Sequence, residues 1–127
     1  MSIQHINVLT DVFLITCIVQ RGRAKEVLKA AQDAGAQGAT IHYGHGHGVH
    51  ELLGILAVAV DTEKEVINIL VPSDLRDMIF EKMAVAGQLD TPGMGMIYST
   101  RIEKAATYIP QHILDAISES DASKNNA

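Results

Sequence analysis

The chain has 127 residues, with 15 Asp and Glu against 10 Lys and Arg, a formal charge of −5, and one cysteine. That length closes a single hydrophobic core without metal or disulfide staples. An acidic balance with no basic run excludes a nucleic-acid partner, whose phosphates need clustered Lys and Arg; no apolar stretch reaches the roughly 18 residues of a membrane span; and a lone Cys17 excludes a disulfide framework and points to a reducing, cytoplasmic setting.

In chain order, "MSIQHINVLTD" has neither a basic first region nor a small-residue cleavage site. The apolar run after it, "DVFLITCIVQ", is rich in β-branched residues and closes in "RGR", which predicts a core strand and a turn, with Cys17 packed inside as a small hydrophobe. "AKEVLKAAQDAG" spaces Val27, Leu28, Ala31 and Ala34 for a helix, with Gly22 as its N-cap and Gly35 as its stop. "GATIHYG" supplies a second strand, and "GHGHG" follows. "GILAVAVD" and "EVINILVP", parted by the charged "DTEK", read as a hairpin. "SDLRDMIFEKMAVAG" is a second helix, with Ser73 as N-cap, Asp74 in the first turn, Leu75, Met78 and Ile79 inward, and Gly87 as stop. "GMGMIYSTRI" is the closing strand. Pro110 opens a short terminal helix with Ile113, Leu114 and Ile117 on one stripe, and "SESDASKNNA" has almost nothing to bury.

Two similar halves, each strand–helix–strand, define an α+β fold: a ferredoxin-like βαββαβ sandwich over residues 1–109, then a short helix over 110–119 and a disordered tail over 120–127. Both faces of the first strand are largely apolar: Phe13, Ile15, Cys17 and Val19 on one side, Val12, Leu14, Thr16 and Ile18 on the other. Two helices cover one face of a four-stranded sheet, so the other is expected to pack against further copies of the chain.

Each half carries a GxG, at Gly46 and Gly48 and at Gly93 and Gly95. Glycine permits positive φ and close backbone approach, so successive N–H groups in such loops can hold an anion. Two plain tight connections account for the same pattern. Neither loop has the dinucleotide-binding GxGxxG spacing, and no Walker-type loop is present.

"GRAKEVLKAAQDAGAQGATI", a glycine loop, "EVINILVPSDLRDMIFEKM" and "PGMGMIYSTRIEKA", in this order over roughly residues 12–105, resemble the P-II signal-transduction family, more particularly its divergent P-II-like branch. The resemblance implies a homotrimer with its sheets facing the centre. It also implies an adenine nucleotide, ATP, ADP or AMP, in clefts between subunits, and a loop after the second strand, the T-loop, that contacts a regulated target such as a membrane transporter or an enzyme. Gly38 and Thr40 match the stretch under the adenine, Gly46 and Gly48 the base of the T-loop, and His50 the place of a phosphate- or metal-contacting glutamine. Gly93 and Gly95 match the B-loop, whose amides approach the phosphates. The chain departs from the pattern at Met96, where a lysine is usual, and after Ile102, where no arginine clamp follows; Lys64 and Arg101 are the nearby substitutes. The loop is shorter than usual and lacks the tyrosine that some members have modified.

The histidines leave alternatives open. His45 and His47, two apart in an extended chain, lie on one side, and with His50 or Glu51 as a third ligand they suit a divalent ion such as zinc or copper, for metal sensing or storage. They equally suit a nucleotide's surroundings or a solvent-facing loop. Asp74, Asp77 and Glu81 read as a solvated helix face, and Ser73 has no neighbouring histidine to activate it, so no catalytic centre is expected.

Overall fold

A computed structural model describes residues 6–46, 62–113 and 115. The elements are β1 (Asn7–Leu9), β2 (Val12–Gln20), α1 (Ala24–Asp33), β3 (Thr40–Gly46), β4 (Thr62–Pro72), α2 (Ser73–Ala86), β5 (Gly95–Ile102) and β6 (Ala105–Thr107). They form two compact bodies, residues 11–103 and the two flanks 1–10 and 104–127.

Within residues 11–103 the sheet order is β3-β4-β2-β5, with every neighbouring pair antiparallel. This is the ferredoxin-like order: each half contributes one central and one edge strand, and each helix connects strands that are not neighbours. The odd positions of β2 and β4 face both helices. Ile15, Cys17 and Val19, with Ile67, Ile69 and Val71, pack against Ala24, Val27 and Ala31 of α1 and against Ile79 and Met83 of α2. Burial lifts the Cys17 thiol to about 12, so it stays protonated and inert at neutral pH, as its apolar surroundings require.

The even positions line the opposite, helix-free face. Leu70, Met96 and Tyr98 are exposed there, and a polar row crosses it. The Thr16 hydroxyl donates to Asn68 Oδ1 at 2.7 Å, and Asn68 Nδ2 lies 3.1 Å from His42 Nε2.

Neither helix starts as the sequence suggested. The N-cap of α1 is Arg23 rather than Gly22, and it offers no side-chain bond. Glu65 of β4 does this work instead: its Oε1 accepts the Ala24 N–H at 3.3 Å and also that of Gly22. At α2 the N-cap is Pro72, and Ser73 is the first helical residue. The Ser73 hydroxyl donates to Asp11 Oδ2 at 2.5 Å and its amide to the Asp11 carbonyl at 3.1 Å, so Ser73 ties the start of α2 to the residue just ahead of β2.

Both helices end in a Schellman motif. In α1 the Ala36 and Gly35 amides return to the Ala31 and Gln32 carbonyls, with Gly35 at φ +112°. In α2 the Leu89 and Gln88 amides return to Ala84 and Val85, after Gly87 as C-cap. The left-handed position there is held by Gln88, at φ 55°. A side chain is disfavoured in that region, so Gln88→Gly is expected to raise stability by about 0.5–1 kcal/mol. Urea unfolding checks it; no gain would mean that the glutamine side chain compensates.

In the flanking body β1 and β6 pair antiparallel, Asn7 with Thr107 and Leu9 with Ala105. Residues 111–113 and 115 are helical, with the Ile113 amide bonded to the Pro110 carbonyl. "GILAVAVD", the first arm of the expected hairpin, lies outside the described residues; β4 itself pairs antiparallel with β3 and with β2. No helix among the described residues is long and apolar enough to cross a membrane.

Candidate functional site

The last turn of β3, the first of β4 and the β2–α1 turn enclose an open cleft of about 510 Å³, lined by Arg21, Gly22, Tyr43, Gly44, His45, Glu63 and Glu65. Register explains the gathering: Tyr43 pairs with Glu65 and His45 with Glu63, and Glu65 reaches the turn through Gly22 and Ala24. Arg21 meets Glu63 at 2.6 Å, while Glu65 is occupied by backbone amides. Tyr43 stands largely in solvent above them.

Between these two carboxylates in sequence, Lys64 alternates to the other face. It pairs with Gln20 on β2 and Gly44 on β3. Only 2% of Lys64 is exposed, and its Nζ has no hydrogen-bond partner among the described residues. Burial accordingly lowers its pKa from the ordinary 10.5. An ammonium withdrawn from water without an acceptor is costly, and an anion beside it removes that cost. Sequence reading had named Lys64 only as a helper; its place in the alternation Lys64, Val66, Asn68, Leu70 was the available signal.

The sequence-predicted positions fall on both edges of the sheet. Thr40 begins β3 and Gly46 ends it, and Gly38 lies just ahead of Thr40, all along one edge. Gly95 begins β5, the other edge, at φ +146°, and Gly93 lies in the turn just ahead of it, at φ +81°. One cross-strand row runs Tyr43, Glu65, Val19, Gly95, so the two edges are three strand spacings, roughly 14 Å, apart. Among the described residues, one chain does not bring Gly38 and Gly46 together with its own Gly93 and Gly95. The Gly93 carbonyl accepts Gln20 Nε2 at 2.9 Å, which anchors the turn before β5 to the end of β2.

Gly95 has a packing role of its own. A Cβ there would lie 2.1 Å from the Ile18 carbonyl oxygen, so this glycine is required by the approach of β5 to β2 whatever else binds nearby. Arg101 sits at the opposite end of β5, paired with Phe13, roughly 20 Å along the strand from Gly95. It is not gathered with the other candidates. His45 lines the cleft, whereas Gly48, His47 and His50 lie outside the described residues. Among the described residues no three metal-ligating side chains cluster.

The comparisons agree with this architecture. Residues 12–112 match the family described as nitrogen regulatory protein P-II. A crystal structure of Arabidopsis thaliana PII bound to citrate superposes with a TM-score of 0.59 at 17% sequence identity, covering 74% of this chain and 79% of that one. A search of curated proteins finds no match. With the sheet order, the paired glycine stretches and a family match across nearly all of the βαββαβ body, the chain belongs to the P-II nitrogen regulatory protein family.

Proposed function

We propose that this chain is a trimeric regulatory protein that binds an anionic small effector, an adenine nucleotide, in clefts between subunits and signals to a partner through the loop after β3. The observation that carries this reading is the placement of the two glycine stretches on opposite edges of one sheet. A site using both is completed by a neighbouring copy. Gly38, Thr40, Gly46, Gly48 and His50 come from one chain, and Gly93 and Gly95 from the next. The exposed apolar residues of the helix-free face, Leu70, Met96 and Tyr98, favour copies packed sheet to sheet about a centre.

Lys64 supports an anion as the effector, because its ammonium is buried with no hydrogen-bond partner among the described residues and its backbone pairs with Gly44 near the end of β3. The Arabidopsis protein's citrate is also an anionic small molecule. An effector that binds one arrangement of the loop better than another shifts its population, and a target, a transporter or an enzyme, that recognises that arrangement reads the effector's level.

Calorimetric titration of the purified protein with ATP, ADP and AMP, with and without magnesium, tests the reading, alongside sedimentation for the trimer. Saturable binding near one site per chain is expected, and Lys64→Met should weaken it by roughly tenfold or more, the worth of one charge-assisted bond. The same variant has a second signature. The lowered Lys64 pKa means that the unfolded chain holds that proton more tightly, so ligand-free stability rises with pH from the lowered native value up to 10.5. Lys64→Met should flatten that rise. Silent nucleotides with tight zinc or copper binding, lost on replacing His45, His47 and His50, would overturn the nucleotide reading in favour of a metal sensor.

A further inference from the structure

Phe13 lies near the start of β2 on the helix-facing side, and two guanidinium groups gather on its ring. Arg76 of α2 places its Cζ 4.3 Å from the ring centroid, and Arg101 of β5, the cross-strand partner of Phe13, places its own at 5.9 Å. Each cation gains from the ring's negative face. Both guanidinium groups thus lie within about 6 Å of one ring centroid, which brings two positive charges to this corner.

Among the described residues one carboxylate pairs directly with them. Asp77 accepts Arg76 Nε at 2.9 Å, and Asp11 is engaged by the Ser73 hydroxyl. Arg101 is exposed and has no carboxylate partner among the described residues. In a chain of net charge −5, this corner therefore holds two cations against one directly paired anion. Guanidinium groups are planar forks matched to oxyanions, and a ring that fixes their planes lowers the entropy lost when they engage one.

We propose that Arg76 and Arg101, held by the Phe13 ring, form a binding site for a multiply charged oxyanion, a phosphate free or carried as a phosphomonoester. The site is separate from the effector cleft, at the other end of β5, and does not depend on the nucleotide reading. A clamp that only fastens β5 and α2 to β2 would use the same contacts without binding anything, and the two roles are told apart by titration.

The full chain, titrated with inorganic phosphate and in parallel with a small phosphomonoester, is followed by NMR through the arginine Nε–H signals. Saturable shifts of the Arg76 and Arg101 signals are expected, with affinity falling roughly tenfold in Arg76→Gln and in Arg101→Gln and unchanged in Lys64→Met. Arg101→Lys, which keeps the charge and loses the fork, should stay folded and bind at an intermediate level. Tighter binding of the ester assigns the site to a phosphorylated small molecule, and equal binding to free phosphate. No saturation up to about 10 mM, binding unaltered in Arg101→Gln, or binding lost in Lys64→Met would each overturn the proposal.

Discussion

Gly95→Ala is expected to lower stability by more than about 3 kcal/mol and the unfolding midpoint by about 10 °C or more. Two causes act together. Gly95 sits at φ +146°, where an L side chain is strained, and its new Cβ would meet the Ile18 carbonyl oxygen at 2.1 Å, with the Ile18 carbonyl carbon and a Leu89 methyl both at 3.2 Å. Relief by movement is blocked, because Ile18 belongs to a central strand held by Val66 on one side and Met96 on the other. Against a total of about 5–15 kcal/mol for a domain, such a loss leaves a substantial fraction unfolded. Thermal and urea unfolding check it, and a change below about 1 kcal/mol would show that β5 does not approach β2 this closely. Lost nucleotide binding in Gly95→Ala therefore cannot be assigned to a missing phosphate contact; Lys64→Met is the cleaner probe of the effector site.

Removing the Glu65 carboxylate should cost about 2–3 kcal/mol, since hydrogen bonds to a charged group are worth more than neutral ones and their loss orphans buried donors. Glu65 is 8% exposed and serves the Gly22 and Ala24 amides at the positive end of α1, where a negative charge also favours the helix dipole. In Glu65→Ala those amides lose their acceptor while Arg23 supplies no side-chain replacement. Glu65→Gln keeps an oxygen in place and should cost less than half as much. Hydrogen exchange locates the effect: the amides from Ala24 to Val27 should exchange faster than those of α2. A uniform increase across both helices would instead mean that Glu65 supports the core as a whole. Because Glu65 also lines the cleft, the cap couples the mouth of that cleft to the start of α1.

Much of the βαββαβ body was legible in the sequence because its signals are periodic. Alternation in "DVFLITCIVQ" and "EVINILVP" sorted their residues into the two faces of the sheet, though not which face carries the helices, and helical spacing in "AKEVLKAAQDAG" found Val27 and Ala31, both fully buried. Gly35 and Gly87 stopped their helices as read, since C-terminal caps are built from adjacent residues. The strands β1 and β6 were not foreseen. Each has three residues, too few for a period, and β6 is made of alanine and threonine.

What depended on distant pairing was decided only by the tertiary structure. Local sequence offered Gly22 and Ser73 as N-caps, yet the cap of α1 comes from a strand 41 residues away and Ser73 serves to tether α2 to Asp11. The two GxG stretches looked alike on paper. Folding puts Gly46 and Gly95 on opposite edges of the sheet, gives Gly95 a steric reason that no motif contains, and sets Arg101 at the far end of β5 from Gly95. Composition likewise gave no sign that Lys64 is buried without a partner, or that Phe13 carries two arginines. Periodicity reports which side of an element faces the core, a property of neighbours a few residues apart. Caps, edges and charge environments arise between segments far apart in the chain, and only the register of β2 with β4 and β5 fixes them.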